Sequence, residues 1–246
     1  MWPQPAAGES ASGDPEILFT FDDGPNPRTT PLVLDELARH GIRAVFFLVG
    51  DRTRDHQPRA AAIIQRILRE GHVIASHTMA HHDLCRITED EAAADLDGGK
   101  AIVEAVAAVP TAWFRAPYGA RCDQLERLLA ARGLVHFHWD LDPQEWRSSR
   151  PARTVRYVTR ALSQASGRNV LLLHDVKQAT VKALPQILTW LDAENARRKK
   201  AHQPPIRILQ APVLAVEQLP RGFGAWVQIA TEGARSLPAA IASALP

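Results

Sequence analysis

Short apolar runs alternate with longer amphipathic ones along most of this chain, and that alternation limits the fold more than any other feature. Seven apolar runs, at residues 16–21, 44–49, 72–75, 112–114, 134–139, 170–173 and 206–209, read as strands. Between them lie helix patterns with recognisable ends. One opens at Thr30 as N-cap with Pro31 in the first position, and Gly41 stops it. A second spans 58–70 before Gly71. A third opens with Thr88 and Glu91 in capping-box spacing and runs to about Val109. Others are read at 123–132, 151–164 and 180–197. Strands that alternate with helices imply parallel βαβ units.

Composition removes several classes. Hydrophobic residues make up 46% and charged residues 23%, which excludes a disordered chain, a collagen and a coiled coil. The 29 basic residues nearly cancel the 27 acidic ones, giving +2, so charge offers no case for a nucleic-acid partner or an anionic membrane. No apolar run approaches the roughly 18 residues of a membrane span. Residues 1–15 lack an apolar core, so no signal peptide is visible, and they read as a flexible N-terminal segment. The two cysteines, Cys85 and Cys122, cannot form a disulfide framework or a Cys-rich zinc site. Gln203-Pro204-Pro205 reads as a linker before the last strand, and residues 221–246 as a tail packed on the domain at 16–220.

The polar residues capable of chemistry follow the strands. Asp22 and Asp23 follow the first, His77 and His81 the third, and Arg115 the fourth. Asp142 and Glu145 follow the fifth, and His174 ends the sixth. Groups from five strand ends share one site if the sheet curls toward a barrel, whose active site lies at the carboxyl face. The expected fold is therefore α/β and barrel-like, with parallel strands around one shared site. His77 and His81, four apart, share a side if they lie on a helical turn. Two histidines and one carboxylate suit a catalytic divalent metal. Adjacent carboxylates such as Asp22 and Asp23 repel unless a cation compensates them. Their side chains diverge, so one is free to bind a metal while the other acts as a base.

Five segments, in order, resemble the signatures of the polysaccharide deacetylase family (carbohydrate esterase family 4). They are Thr20-Phe21-Asp22-Asp23-Gly24-Pro25, Ser76-His77-Thr78-Met79-Ala80-His81, Phe114-Arg115-Ala116-Pro117-Tyr118-Gly119, Asp142-Pro143-Gln144-Glu145-Trp146 and Leu172-Leu173-His174-Asp175. The resemblance implies a distorted, incomplete (β/α)7-type barrel with parallel strands, in which Asp23, His77 and His81 hold Zn²⁺, Co²⁺ or another divalent metal. It makes Asp22 the general base, held ionised by Arg115, and His174 the general acid. On the substrate side it implies Pro117, the Tyr118 N–H as an oxyanion donor, Leu172 against the acetyl methyl and Trp146 against a sugar ring. The family has Asp before that tryptophan where this chain has Glu145, so either Glu145 or Asp142 pairs with His174.

The activity so implied is removal of N-acetyl groups from N-acetylglucosamine-containing glycans, chitin oligomers or peptidoglycan. Deacetylation of O-acetylated glycans and hydrolysis of small amides or imides are the alternatives. An acetylated glycan is the expected partner, the oligomeric state is left open, and the resemblance implies an extracytoplasmic location. An Fe(II) oxygenase would explain the ligands but not Asp22, Arg115 or His174. A non-catalytic carbohydrate-binding relative would need a lost acid, base or ligand. Cys85 and Cys122 each lie four residues beyond a motif residue, His81 and Tyr118, so a disulfide between them stays open. His40, His56, His72, His136, His138 and His202 read as structural or solvated. His82 is left out of the ligand set because on a helical turn its side chain points about 100° from that of His81. Trp113 and Trp139 read as core.

Overall fold

The computed structural model describes residues 13–218. Seven parallel strands, β1 (Glu16–Asp22), β2 (Val45–Leu48), β3 (Val73–Ser76), β4 (Trp113–Phe114), β5 (Val135–His136), β6 (Arg168–His174) and β7 (Arg207–Ile208), form one sheet. The spatial order is β5-β4-β3-β2-β1-β6, with β7 beside the start of β1. β1 is buried along its whole length and pairs with β6 from Glu16↔Arg168 to Asp22↔His174. Its other edge is shared. β7 pairs at Glu16 and Ile17, and β2 pairs from Thr20 to Asp22.

The sheet curls into a half-barrel with flanking helices. Closure between β5 and β6 rests on a single parallel bridge, Leu141↔Leu171, so the barrel is incomplete as expected. Strand alternation sorts the side chains into two layers. Leu18, Val45, Phe47, Ala75, Trp113, Phe137 and Val170 face inward, where helix α8 (Ala211–Gln218) adds Ala211, Leu214 and Ala215. Ile17, Phe19, Phe21, Phe46, Leu48 and Leu173 face outward. They pack beneath α1 (Thr30–Arg39), α3 (Arg59–Arg69), α6 (Pro151–Ser163) and α7 (Gln178–Lys200). A third cluster joins Phe114 to α4 (Glu89–Ala107) and α5 (Asp123–Ala131).

Local signals held in part. The Thr88–Glu91 capping box forms at the start of α4. The cap of α1, however, is Thr29 and not Thr30, and no side chain caps it. The Thr30 hydroxyl donates instead to the buried Asp175 carboxylate, a tertiary bond invisible to a local pattern. A further helix, α2 (Gly50–Asp55), precedes α3. Its composition is polar, so apolar periodicity missed it.

Of the segment read as flexible, residues 13–15 are pinned. The Gly13 carbonyl accepts from Gly167 N–H at 3.0 Å, and that of Pro15 from Arg207 N–H at 2.8 Å. Residues 1–12 and the tail at 221–246 lie outside the described residues.

Cys85 and Cys122 form a disulfide, with Cα atoms 5.9 Å apart, that ties the loop after β3 to the start of α5. Replacing both by Ser is expected to cost about 4 kcal/mol from loop-closure entropy alone. Urea unfolding measures it, and a loss below about 1 kcal/mol would mean that the bridge constrains little.

Candidate active site

The carboxyl ends of β1, β3, β4 and β6 converge on one polar cluster. On β1 the alternation turns Thr20 and Asp22 inward with Leu18. Asp23 would then face outward, but its φ of 74° turns the chain back. Asp is among the few residues that enter this left-handed region readily. Two adjacent carboxylates thereby reach one site. The next residue, Gly24, passes so close to Asp175 that a Cβ there would collide with its carboxylate.

Asp22 is 3% exposed, and its two oxygens are differently engaged. Oδ1 accepts from the Arg115 guanidinium at 2.6 Å, while Oδ2 lies 3.8 Å from His77 Nε2. Arg115 is fully buried. It donates further to Thr20 Oγ1 at 2.9 Å and to the carbonyls of Phe137 at 3.2 Å and His138 at 3.3 Å. Its guanidinium stacks 4.0 Å from the centre of the Phe47 ring.

His77 Nδ1–H donates to the Arg115 carbonyl at 2.7 Å, which turns the Nε2 lone pair toward Asp23. Nε2 of His77 and Nε2 of His81 lie 3.6 and 3.2 Å from Asp23 Oδ1. That oxygen is buried without a hydrogen-bond partner. One donor atom from each of Asp23, His77 and His81 lies within 4.8 Å of the others. Lone pairs facing a carboxylate repel unless a cation lies between them, so these residues fit a divalent metal. Burial would raise the Asp23 carboxyl, but the close approach of His77 and His81, with charge from His77 and His174, outweighs it and holds the group well below the usual carboxylate range.

The histidines do not sit on a helical turn. His77 follows β3 directly, and Thr78 and His81 have φ of 67° and 60°, which curl the loop without a helix. Two elements, α4 and α2, hold this shape. Asp95 of α4 accepts from the N–H groups of Met79 and Ala80 at 2.7 Å each. The Thr78 and Met79 carbonyls accept from Gly50 and Asp51 at the N-terminus of α2, at 3.0 and 2.8 Å. Gly99 lets α4 approach, because a Cβ there would strike the Thr78 carbonyl. His82 is held off the cluster by Asp95 Oδ2 at 3.0 Å, not by helical geometry.

On the far flank, Glu145 takes the partnership with His174. Its Oε1 accepts from His174 Nδ1–H at 2.9 Å, His174 N–H at 2.7 Å and the Thr180 hydroxyl at 3.1 Å. Asp142 makes a local turn bond instead, its Oδ1 accepting from Gln144 N–H at 2.8 Å. Gln144 adopts a left-handed conformation (φ 53°), and the following turn carries Glu145 inward. Burial opposes a charged His174, but the Glu145 contact, with Asp22 and Asp23 nearby, raises its pKa to about 9.

Tyr118 is 72% exposed at a φ of 60°, and its hydroxyl lies 3.2 Å from His81 Nδ1. Pro117 is buried beneath it, Leu172 is buried on β6, and Trp146 is 44% exposed with Arg147 stacked on it. Trp113 is core, whereas Trp139 packs against Gly119 beside the Tyr118 loop.

Sequence reasoning gave no role to Asp95 or Asp175. Asp95 carried a readable signal, since it sits among Ala92, Leu96, Gly99 and Val103 on the buried stripe of α4. Asp175 is fully buried behind Asp23. Burial pushes its carboxyl up to about 7 against the hydrogen bond from Thr30.

Residues 9–136 match the sequence model of the polysaccharide deacetylase family. A chitooligosaccharide deacetylase of Sinorhizobium fredii is 38% identical over 68% of this chain and 74% of its own length. A peptidoglycan-N-acetylglucosamine deacetylase of Bacillus cereus is 30% identical over 74% of this chain and 65% of its own. Among solved structures, the Xyl-CE4 domain of a multidomain xylanase from the hindgut metagenome of Trinervitermes trinervoides superposes with a TM-score of 0.68. It is 26% identical and covers 84% of this chain and 92% of that domain. A matched family model over half the sequence, two relatives at this identity and the site's own geometry agree that the chain belongs to the polysaccharide deacetylase family.

Proposed function

We propose that this chain hydrolyses N-acetyl groups on N-acetylglucosamine-containing glycans, chitin oligomers or peptidoglycan, and releases acetate. One observation carries the reading. A buried Asp–Arg pair and a Glu–His pair stand beside the same cluster of two imidazoles and a carboxylate. An oxygenase using the same ligands would have no use for either pair. Asp23, His77 and His81 would hold the cation. Bound there, Zn²⁺, Co²⁺ or another divalent ion supplies Lewis-acid polarisation of a carbonyl and of water.

Each remaining step falls to a residue of the chain. Asp22 Oδ2, on the side of His77, takes the proton from the attacking water, while Arg115 holds Oδ1 in place. The Tyr118 N–H donates to the developing oxyanion. His174, protonated and held by Glu145 through Nδ1, delivers a proton from Nε2 to the departing amine. Leu172 lines the acetyl side, and the exposed face of Trp146 offers a platform for a sugar ring.

Acetate release from a panel of N-acetyl and O-acetyl glycans, with and without a chelator, tests this reading. Chelator-sensitive release from N-acetyl substrates is the expected result. Release from O-acetyl glycans alone would move the assignment to the ester. Turnover only of small amides or imides would discard the glycan.

His174 must be protonated to act as an acid, so activity is expected to fall as pH rises through about 9. Glu145→Gln removes the largest contribution to that elevated value. It should shift the alkaline limb of the kcat profile to lower pH, and an unmoved limb would separate Glu145 from the acid.

We also infer an extracytoplasmic location. The Cys85–Cys122 disulfide supports it, because such bonds persist mainly in oxidising compartments. No helix among the described residues is long and apolar enough to cross a membrane.

A further inference from the structure

A second set of metal-ligand side chains lies on the other face of β5. Phe137 turns inward with the barrel core, so His136 and His138 turn away from it. Their rings lie 4.1 Å apart, centre to centre. Helix α5 lays Glu126 against them, with Oε1 2.9 Å from His136 Nδ1. One ligand atom from each of the three residues lies within 4.8 Å of the other two. Nε2 of His136 and Nε2 of His138 are both buried without a hydrogen-bond partner. His136 as a whole is only 2% exposed.

A buried ring nitrogen without a partner is costly, and two together need an explanation. A water could serve one of them. A cation would take one lone pair from each of the three side chains, and to reach His136 through Nε2 it needs the Glu126 side chain to swing from its place at Nδ1 of that ring.

We propose a second divalent-metal site at Glu126, His136 and His138, structural in role and suited to a first-row transition ion such as Zn²⁺. Imidazole and carboxylate donors match that class. Tetrahedral Zn²⁺ at its usual bond lengths sets ligand atoms roughly 3.3–3.5 Å apart, so the three groups, now within 4.8 Å of one another, draw together on binding. The Glu126 side chain is 43% exposed, which leaves the ion a route in and room for water as a further ligand. Arg121 and, toward His138, Arg115 are nearby cations that oppose binding, and the Glu126 carboxylate counters them. The site falls at the short edge strand of the sheet. β5 pairs with β4 through two residues only, and beyond it the barrel closes by the single Leu141 bridge. An ion there would fasten α5 to that edge, much as the disulfide fastens its N-terminus to the loop after β3.

The test is metal stoichiometry in the full chain, stripped with chelator, reloaded with Zn²⁺ alone and counted after gel filtration. Wild type is expected to hold two equivalents, and the Asp23→Ala/His77→Ala variant one. In that variant background Zn²⁺ should raise the unfolding temperature. Adding Glu126→Gln or His138→Gln should abolish both the remaining equivalent and the shift. Both positions are partly exposed, and the buried His136 is left intact so that folding is preserved. In the wild-type background Glu126→Gln should lower the count from two to one with deacetylation unchanged. A single equivalent in wild type, or a residual equivalent indifferent to Glu126→Gln and His138→Gln, would overturn the proposal. Neither result bears on the assignment of the catalytic site.

Discussion

Asp22→Asn is expected to lower kcat by about 10²–10⁴, the usual worth of a positioned general base, while the metal stays bound. Asn keeps the shape of Asp and an oxygen that accepts from Arg115, now 2.6 Å away. It cannot take a proton. The ligand trio of Asp23, His77 and His81 is not altered, so metal content should match wild type. His77→Ala provides the contrast, because it should lose metal and turnover together. Paired measurement of kcat and metal content separates the two roles. Near-wild-type turnover by Asp22→Asn would remove Asp22 from the mechanism.

Arg115→Met should destabilise the fold by about 3–5 kcal/mol, the usual cost of breaking a buried ion pair from one side. The guanidinium is fully enclosed and reaches four acceptors, Asp22, Thr20 and the carbonyls of Phe137 and His138. Met fills much of the same volume over the Phe47 ring but donates to none of them. The larger part of the loss comes from Asp22, which is 3% exposed and would be left charged without a partner. Arg115→Met combined with Asp22→Asn should therefore recover part of the stability, since contacting residues are not additive. Urea unfolding of the two single variants and the double variant measures the coupling. Fully additive losses would mean that the pair does not act as a unit.

Asp22 thus joins two functions in one side chain. Oδ1 belongs to a buried structural network and Oδ2 to the reacting side. Arg115 is bonded to β1 and to the chain beyond β5, and through its own carbonyl it orients His77. Replacing its side chain disturbs the proposed base and the inner layer of the barrel at once, while the backbone carbonyl that holds His77 stays in place. Stability and turnover should therefore fall together at this position.

The alternation of strand and helix was legible because it depends on short-range periodicity. β1 and β6 emerged close to their expected limits, and so did α4 with its capping box. The placement of polar residues after strands was equally local. It marked Asp22, Asp23, His77, His81, Arg115, Asp142, Glu145 and His174 as candidates for one shared site before any contact was known.

What sequence left open was decided by groups far apart in the chain. The HxxxH spacing suggested a helical turn, but Asp95 and the start of α2 bond the backbone of that loop and hold it non-helical. Either Glu145 or Asp142 had the chemistry to hold His174, and a left-handed Gln144 brought Glu145 inward. Two cysteines allowed a bridge without requiring one, until the loop after β3 met α5. His136 and His138 looked unremarkable until α5 laid Glu126 beside them. Periodicity and residue type fix which atoms a chain possesses and which face of an element they occupy. Which of them meet depends on how elements distant in sequence pack, and that was settled only by the tertiary structure.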